Sequence, residues 1–131
     1  MSNFIIDSSA LLALLQDELT EDAQKIEEQI RDAAITSVNF GEAAQRLYRS
    51  GKTRADMDNI ARMMGLDVVA VDADLALDVA DFREVARMHG ISQADCLCLA
   101  LAKREAAVAL TGDRDWLKIA DAIGVEVQLI R

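Results

Sequence analysis

Five carboxylates stand at positions where their spacing could do chemistry. Asp7 closes the short apolar run Asn3-Phe4-Ile5-Ile6 and is followed by Ser8, Ser9 and the apolar stretch Ala10-Leu11-Leu12-Ala13-Leu14-Leu15. Asp113 and Asp115 follow a second apolar run, in Leu110-Thr111-Gly112-Asp113-Arg114-Asp115-Trp116. Asp95 opens a third, Cys96-Leu97-Cys98-Leu99-Ala100-Leu101-Ala102, and Glu42 lies in Asn39-Phe40-Gly41-Glu42. Brought together, three to five carboxylates repel and raise one another's pKa values. Hard divalent cations relieve that repulsion, and an all-oxygen cluster suits Mg²⁺ or Mn²⁺ better than zinc or copper. Such a cluster suits metal-assisted phosphoryl chemistry, in which cations activate water and neutralise charge on the phosphate. That chemistry needs neither a histidine base nor a thiolate. The chain offers one histidine, His89, and two cysteines, Cys96 and Cys98.

Each carboxylate also has a plainer use. Asp7 can cap the helix that follows it, and Asp113 or Asp115 can cap the last one. Asp95 completes a capping box with Ser92. Glu42 can pair with Arg46 one turn later on a solvated face. Capping and metal binding are compatible, since a backbone can start a helix while its side chain faces an ion. Asp95 strains the plain account most. Its neighbours at plus three, four and seven are Cys98, Leu99 and Ala102, so its carboxylate needs a partner, a cation or a proton.

The elements that must position these groups alternate. Strands are expected at Asn3–Ile6, Ala33–Thr36, Leu66–Val71, Ala106–Thr111 and Val125–Ile130. Helices are expected after Asp7, from Thr20 to about Arg31, from Val38 to Tyr48 and after the capping box Thr53-Arg54-Ala55-Asp56. Two more run from Asp72 to Met88 and from Ser92 onward, with a loop and helix start at Gly112–Trp116. The Thr20 helix carries Ile26 and Ile30 on one face, the Thr53 helix an apolar stripe of Met57, Ile60, Met63 and Met64. The Asp72 helix spaces Leu75, Val79, Phe82 and Ala86 for one face. Strands alternating with helices argue for an α/β fold, a parallel sheet of about five strands with helices on both faces. In a doubly wound sheet the order reverses beside the first strand, so the first and fourth strands can be central neighbours. Asp7 and Asp113 then meet at the switch point, and the helix opened by Asp95 begins at the same edge.

Composition bounds the rest. At 131 residues, with no proline and scattered glycines, one domain spanning 1–131 is expected. No window approaches a membrane span and no signal sequence opens the chain, so a cytoplasmic protein is expected. Two positions apart on a helix, Cys96 and Cys98 point in different directions and are read as buried free thiols. A hydrophobic content of 52% beside 28% charged residues suggests a thick core, an apolar partner surface, or both. The helix after Asp7 and the methionine helix are the candidates for that surface. The net charge of −9 opposes a nucleic-acid partner, and setting five metal-bound carboxylates aside still leaves the chain negative.

Taken in order, Ile5-Ile6-Asp7-Ser8-Ser9-Ala10-Leu11, Asn39-Phe40-Gly41-Glu42, Ile91-Ser92-Gln93-Ala94-Asp95-Cys96 and Leu110-Thr111-Gly112-Asp113-Arg114-Asp115-Trp116 resemble the acidic motifs of PIN-domain ribonucleases. The VapC toxins of bacterial toxin–antitoxin pairs are the nearest likeness, over the whole chain and at normal spacing. The resemblance implies a Mg²⁺- or Mn²⁺-dependent endoribonuclease, often homodimeric, whose cut leaves a 5′-phosphate and a 3′-hydroxyl. It implies acidic site residues at Asp7, Glu42, Asp95 and Asp113, with Asp115 as a frequent fifth. Metal ligation is expected of Asp7, Asp95, Asp113 and Asp115, and Thr111 would position the last loop. A cognate antitoxin that covers the site is implied too. Trp116 departs from the family, which more often carries Phe there. Two other readings compete. A catalytically silent PIN domain would only bind. A receiver-like signalling domain wants an acidic pair after strand one and a lysine after strand five, and neither is present.

Overall fold

Ile5 and Ile6 are both fully buried, on opposite faces of strand β1 (Phe4–Ile6), and each serves a separate apolar core. A strand buried on both sides must be covered by helices above and below. The computed structural model, which describes residues 2–19 and 22–131, has that architecture. After β1 come α1 (Ser8–Leu15), α2 (Ala23–Ile30), β2 (Ala34–Thr36), α3 (Ser37–Arg49), α4 (Arg54–Met64) and β3 (Asp67–Val69). The second half holds α5 (Ala73–Met88), α6 (Gln93–Glu105), β4 (Val108–Thr111), a 3₁₀ helix (Arg114–Lys118), α7 (Ala120–Ile123) and β5 (Glu126–Leu129).

The five strands form one parallel sheet in the order β3-β2-β1-β4-β5. β1 and β4 are neighbours, registered as Phe4 with Val108, Ile5 with Ala109 and Ile6 with Leu110. The order reverses between them, as the strand pattern requires for a switch point. It also removes the receiver-like reading, whose order is 2-1-3-4-5.

One core joins Ile5, Ala34 and Ala109 to α5, α6 and Trp116. The α5 residues it buries are Leu75, Val79, Phe82 and Ala86, the face expected from their spacing. All of Cys96–Ala102 is buried along α6, so this helix lies between neighbours on every side. Each fully buried Leu contributes roughly 1.5–3 kcal/mol. Three leucines in one helix therefore outweigh an unfavourable carboxylate in its first turn. The other core joins Ile6, Ile35 and Leu110 to α1, α2, α3 and α4.

Several expectations change. The Leu66–Val71 strand shrinks to Asp67–Val69, because β3 is an edge strand with β2 as its one partner and much of its surface in solvent. Met57 and Met64 are buried on α4, but Met63 is 75% exposed and leaves the stripe. Helix α1, a candidate partner surface, buries Ala10 to Ala13 in the core and leaves Ser8, Ser9, Leu14 and Leu15 half-exposed. The N-cap expected at Thr20 lies outside the described residues; α2 begins at Ala23. No helix of the described residues is long and apolar enough to cross a membrane.

Candidate active site

The chain leaves β1 at Asp7 and enters α1 without a spacer, which places the carboxylate at the carboxyl edge of the sheet centre. Asp7 does cap α1: its Oδ1 accepts from Ala10 N at 2.9 Å. The same oxygen accepts from Ser9 Oγ at 2.7 Å, and Oδ2 accepts from Thr111 Oγ1 at 2.6 Å. Only 3% of Asp7 is exposed. Burial pushes its carboxyl above the ordinary value; these hydrogen bonds pull the other way, and Asp113 adds repulsion. Asp7 is thus a helix cap whose carboxylate is also buried among hydroxyl donors and beside a second acid.

Thr111, fully buried at the end of β4, ties the two loops together. Its hydroxyl donates to Asp7 and accepts from Asp113 N at 3.1 Å. Ser9 makes a parallel link, donating to Asp7 while its oxygen accepts from Gly112 N at 3.0 Å. Asp113 Oδ1 accepts from Asp115 N at 2.9 Å and starts the 3₁₀ helix. Asp115 is further out, in a 2.9 Å ion pair with Lys118. Asp7, Asp95, Asp113 and Asp115 all line one open pocket at this edge.

Asp95 arrives from α6, whose N-cap Ser92 accepts from Asp95 N at 3.2 Å. Burial pushes the Asp95 carboxyl up to about 6, helped by the charges of Asp7, Glu42 and Asp113. Glu42 lies on α3, half-buried, and does not pair with Arg46 as its plain reading held. Its Oε1 accepts instead from Asn39 Nδ2 at 3.2 Å. Asn39, fully buried, also donates to the Ala94 carbonyl at 3.3 Å, and its Oδ1 accepts from Thr36 Oγ1 at 2.8 Å. One amide thus fastens α3 to the start of α6 and aims Glu42. Asn39, Thr36 and Ser9 are not among the site residues expected from the sequence. The signal was the string of small polar residues beside each acidic position.

Both cysteines are buried and free. Burial pushes the Cys98 thiol far up, and Asp7 and Asp95 push it further, so it supplies no thiolate.

Among the described residues, no three His, Cys, Asp or Glu side chains converge closely enough to hold one ion as they stand. Yet Asp95 feels Asp7, Glu42 and Asp113 together, so the four charges share one neighbourhood. The chemistry of the donors, hard oxygens with unmet negative charge, fits Mg²⁺ or Mn²⁺.

A three-layer α/β fold with carboxylates gathered at its switch point defines a class of acidic-site domains. Within it, residues 4–122 match the PIN domain family model, and the chain belongs to that family. Solved structures share the fold. VapBC-1 from nontypeable Haemophilus influenzae has a TM-score of 0.71 at 14% identity, with 97% of each chain covered. VapC20 from Mycobacterium tuberculosis, a sarcin–ricin loop cleaving toxin, has a TM-score of 0.65 at 18% identity, covering 88% of this chain and 93% of that one. VapBC-5 from Mycobacterium tuberculosis, of the VapBC family of toxin–antitoxin systems, has a TM-score of 0.55 at 22% identity with 98% of each chain covered. No curated protein matches the sequence.

Proposed function

We propose that this PIN domain is a VapC-type toxin, an endoribonuclease that hydrolyses RNA phosphodiester bonds with Mg²⁺ or Mn²⁺. The carrying observation is that Asp7, Asp95 and Asp113 line one pocket beside the β1–β4 edge, with Asp7 buried and the Asp95 carboxyl raised to about 6 by burial and its acidic neighbours. When bound, the cation supplies water activation and charge neutralisation on the phosphate. Asp7 and Asp95 would be the main ligands and Asp113 would complete the site. Glu42, aimed by Asn39, and Asp115 at the rim would hold a second ion or orient water. Thr111 and Ser9 hold Asp7 in one rotamer, so the site is preorganised on its most buried member. A cognate antitoxin belongs to the same reading, supported by the likeness to VapBC structures; a homodimeric assembly and a cytoplasmic setting are proposed with it.

The test is cleavage of RNA with Mg²⁺ and with EDTA, by wild type and Asp7→Asn. Metal-dependent cleavage, reduced at least about 100-fold in the variant, is expected. Cleavage in EDTA, or full activity in Asp7→Asn, overturns the reading. One rival reading is a silent binding module with the same fold. Isothermal titration with Mn²⁺ separates them, because a silent module takes up no ion at Asp7.

A further inference from the structure

The acidic pocket does not end at its carboxylates. A second cleft, of about 370 Å³, adjoins it and shares Ser8, Ser9 and Arg131 as lining residues. Its floor is α1 and its wall is one face of α3, where Glu42, Gln45, Arg46 and Arg49 recur at helical spacing. Three arginines line it: Arg46, Arg49 and Arg131. In a chain with net charge −9 and only 14 basic residues, three arginines gathered in one cleft stand out. Two carboxylates line the cleft as well. Glu42 is engaged with Asn39, and Glu18 lies on the turn after α1.

The arginines are not spent on structure. Among the described residues the ion pairs are Arg31–Glu27, Arg87–Glu84, Arg104–Asp72 and Lys118–Asp115, and none of the three takes part. Arg131 is placed by backbone: Ile130 N donates to the Thr111 carbonyl at 3.0 Å and draws the end of β5 toward the β4 loop. Its guanidinium then lies over Gly112, with Nη2 only 2.8 Å from where a Cβ would stand. It therefore sits at the seam between the acidic pocket and the basic cleft. Arg46 and Arg49, three apart on a helix, have Cβ atoms about 5–6 Å apart. That separation is comparable with the step between neighbouring phosphates of an extended strand.

We propose that this cleft is a phosphate-binding track, in which Arg131, Arg46 and Arg49 hold the backbone of one RNA strand beside the bond presented to Asp7, Asp95 and Asp113. It rests on the ribonuclease reading and names where that substrate lies. Guanidinium groups suit the task, since their forked donors meet phosphate oxygens two at a time. The track also answers the objection from net charge. An anionic strand need not overcome −9 everywhere, because opposite charge is supplied along its path while the rest of the surface repels it elsewhere.

The test measures binding of a fluorescein-labelled single-stranded RNA of about a dozen nucleotides by anisotropy, across a salt series, with EDTA present to prevent cutting. The proteins are wild type, Arg46→Gln/Arg49→Gln, Arg131→Gln, and the charge-keeping Arg46→Lys/Arg49→Lys. Each lost phosphate contact should flatten the slope of log K against log salt by about 0.7. The double Gln variant should bind at least roughly tenfold more weakly, and the Lys variant should keep most of the slope. Unchanged affinity and slope in both Gln variants overturn the track, and would hand the cleft to a carboxylate-bearing protein segment. If wild type still cuts RNA in that event, the ribonuclease reading stands without the track. If binding depends on the arginines but no RNA is cut, the track stands and the nuclease reading falls.

Discussion

Thr111 Oγ1 donates a 2.6 Å hydrogen bond to Asp7 Oδ2, joining the ends of β4 and β1 across 104 residues of sequence. The same oxygen accepts from Asp113 N, so one hydroxyl sets the distance between two acidic loops. Thr111→Val keeps the shape and removes both bonds inside a fully buried site. It should lose about 1–3 kcal/mol of stability, the cost of stranding buried polar groups. Thr111→Ser should recover most of that loss. Urea denaturation of the three proteins decides it, and a Val variant as stable as wild type removes the bridge from the account.

Asn39 is the second joint. Its side chain donates to Glu42 and the Ala94 carbonyl and accepts from Thr36. Asn39→Ala leaves the Thr36 hydroxyl without its acceptor and the Ala94 carbonyl without this donor, and should cost about 1–3 kcal/mol. Freed from its amide partner, Glu42 loses its aim, so RNA cleavage should fall more than the folded fraction does. Comparing cleavage per folded molecule with a thermal melt separates positioning from stability. Equal losses in both would make Asn39 merely structural.

The Asp95 carboxyl, held at about 6 against an ordinary 3.8, predicts a pH dependence of fixed sign. Between those values the native chain binds more protons than the unfolded one, so stability falls as pH rises from about 4 to about 6. Asp95→Asn should lessen that fall in EDTA, leaving the part that the buried Asp7 contributes with the same sign, and melt higher than wild type at pH 7. Because Asp95 keeps some solvent contact, the gain is only a fraction of what the full shift would give. Mg²⁺ should oppose the trend in wild type, since it binds the deprotonated form. Cleavage, in turn, should fall toward acid pH as protonation of Asp95 competes with the metal. Melting curves at several pH values, with and without Mg²⁺, are the measurement, and a wild type that gains stability over pH 4–6 in EDTA reverses the sign and sinks it.

What the sequence revealed was periodic or local. The Leu75, Val79, Phe82 and Ala86 face, the all-apolar Cys96–Ala102 segment and the adjacency of β1 and β4 follow from repeat spacing and α/β connectivity. Of the expected site residues, Asp7, Asp95, Asp113 and Asp115 line one pocket, and Glu42 stands on the adjoining wall. What stayed hidden depends on partners far apart in sequence. Nothing near Asn39 says that its amide will meet Ala94, 55 residues on. Nothing near Gly112 announces Arg131. Met63 was misplaced because the stripe at Met57, Ile60 and Met64 reads equally well with it. Strand ends were overrun for the same reason: apolar residues continue past the last ladder bond, as at Leu66 and Val71.

Gly112 gives the sharpest test of how Arg131 is held. Its φ is not positive, so its backbone does not require glycine. The guanidinium requires it, because an added Cβ would meet Nη2 at 2.8 Å and Cζ at 3.0 Å. The obstructing group is the end of a flexible, exposed side chain, so Gly112→Ala should move Arg131 and leave stability within about 0.5 kcal/mol. RNA binding should then weaken as it does in Arg131→Gln, with the salt slope flattened by about 0.7. Adding Gly112→Ala to Arg131→Gln should change nothing more, since both act through one contact. Should the double variant bind still more weakly, residue 112 acts on the strand or on the Asp113 loop directly, and the seating of Arg131 is not what the glycine is for.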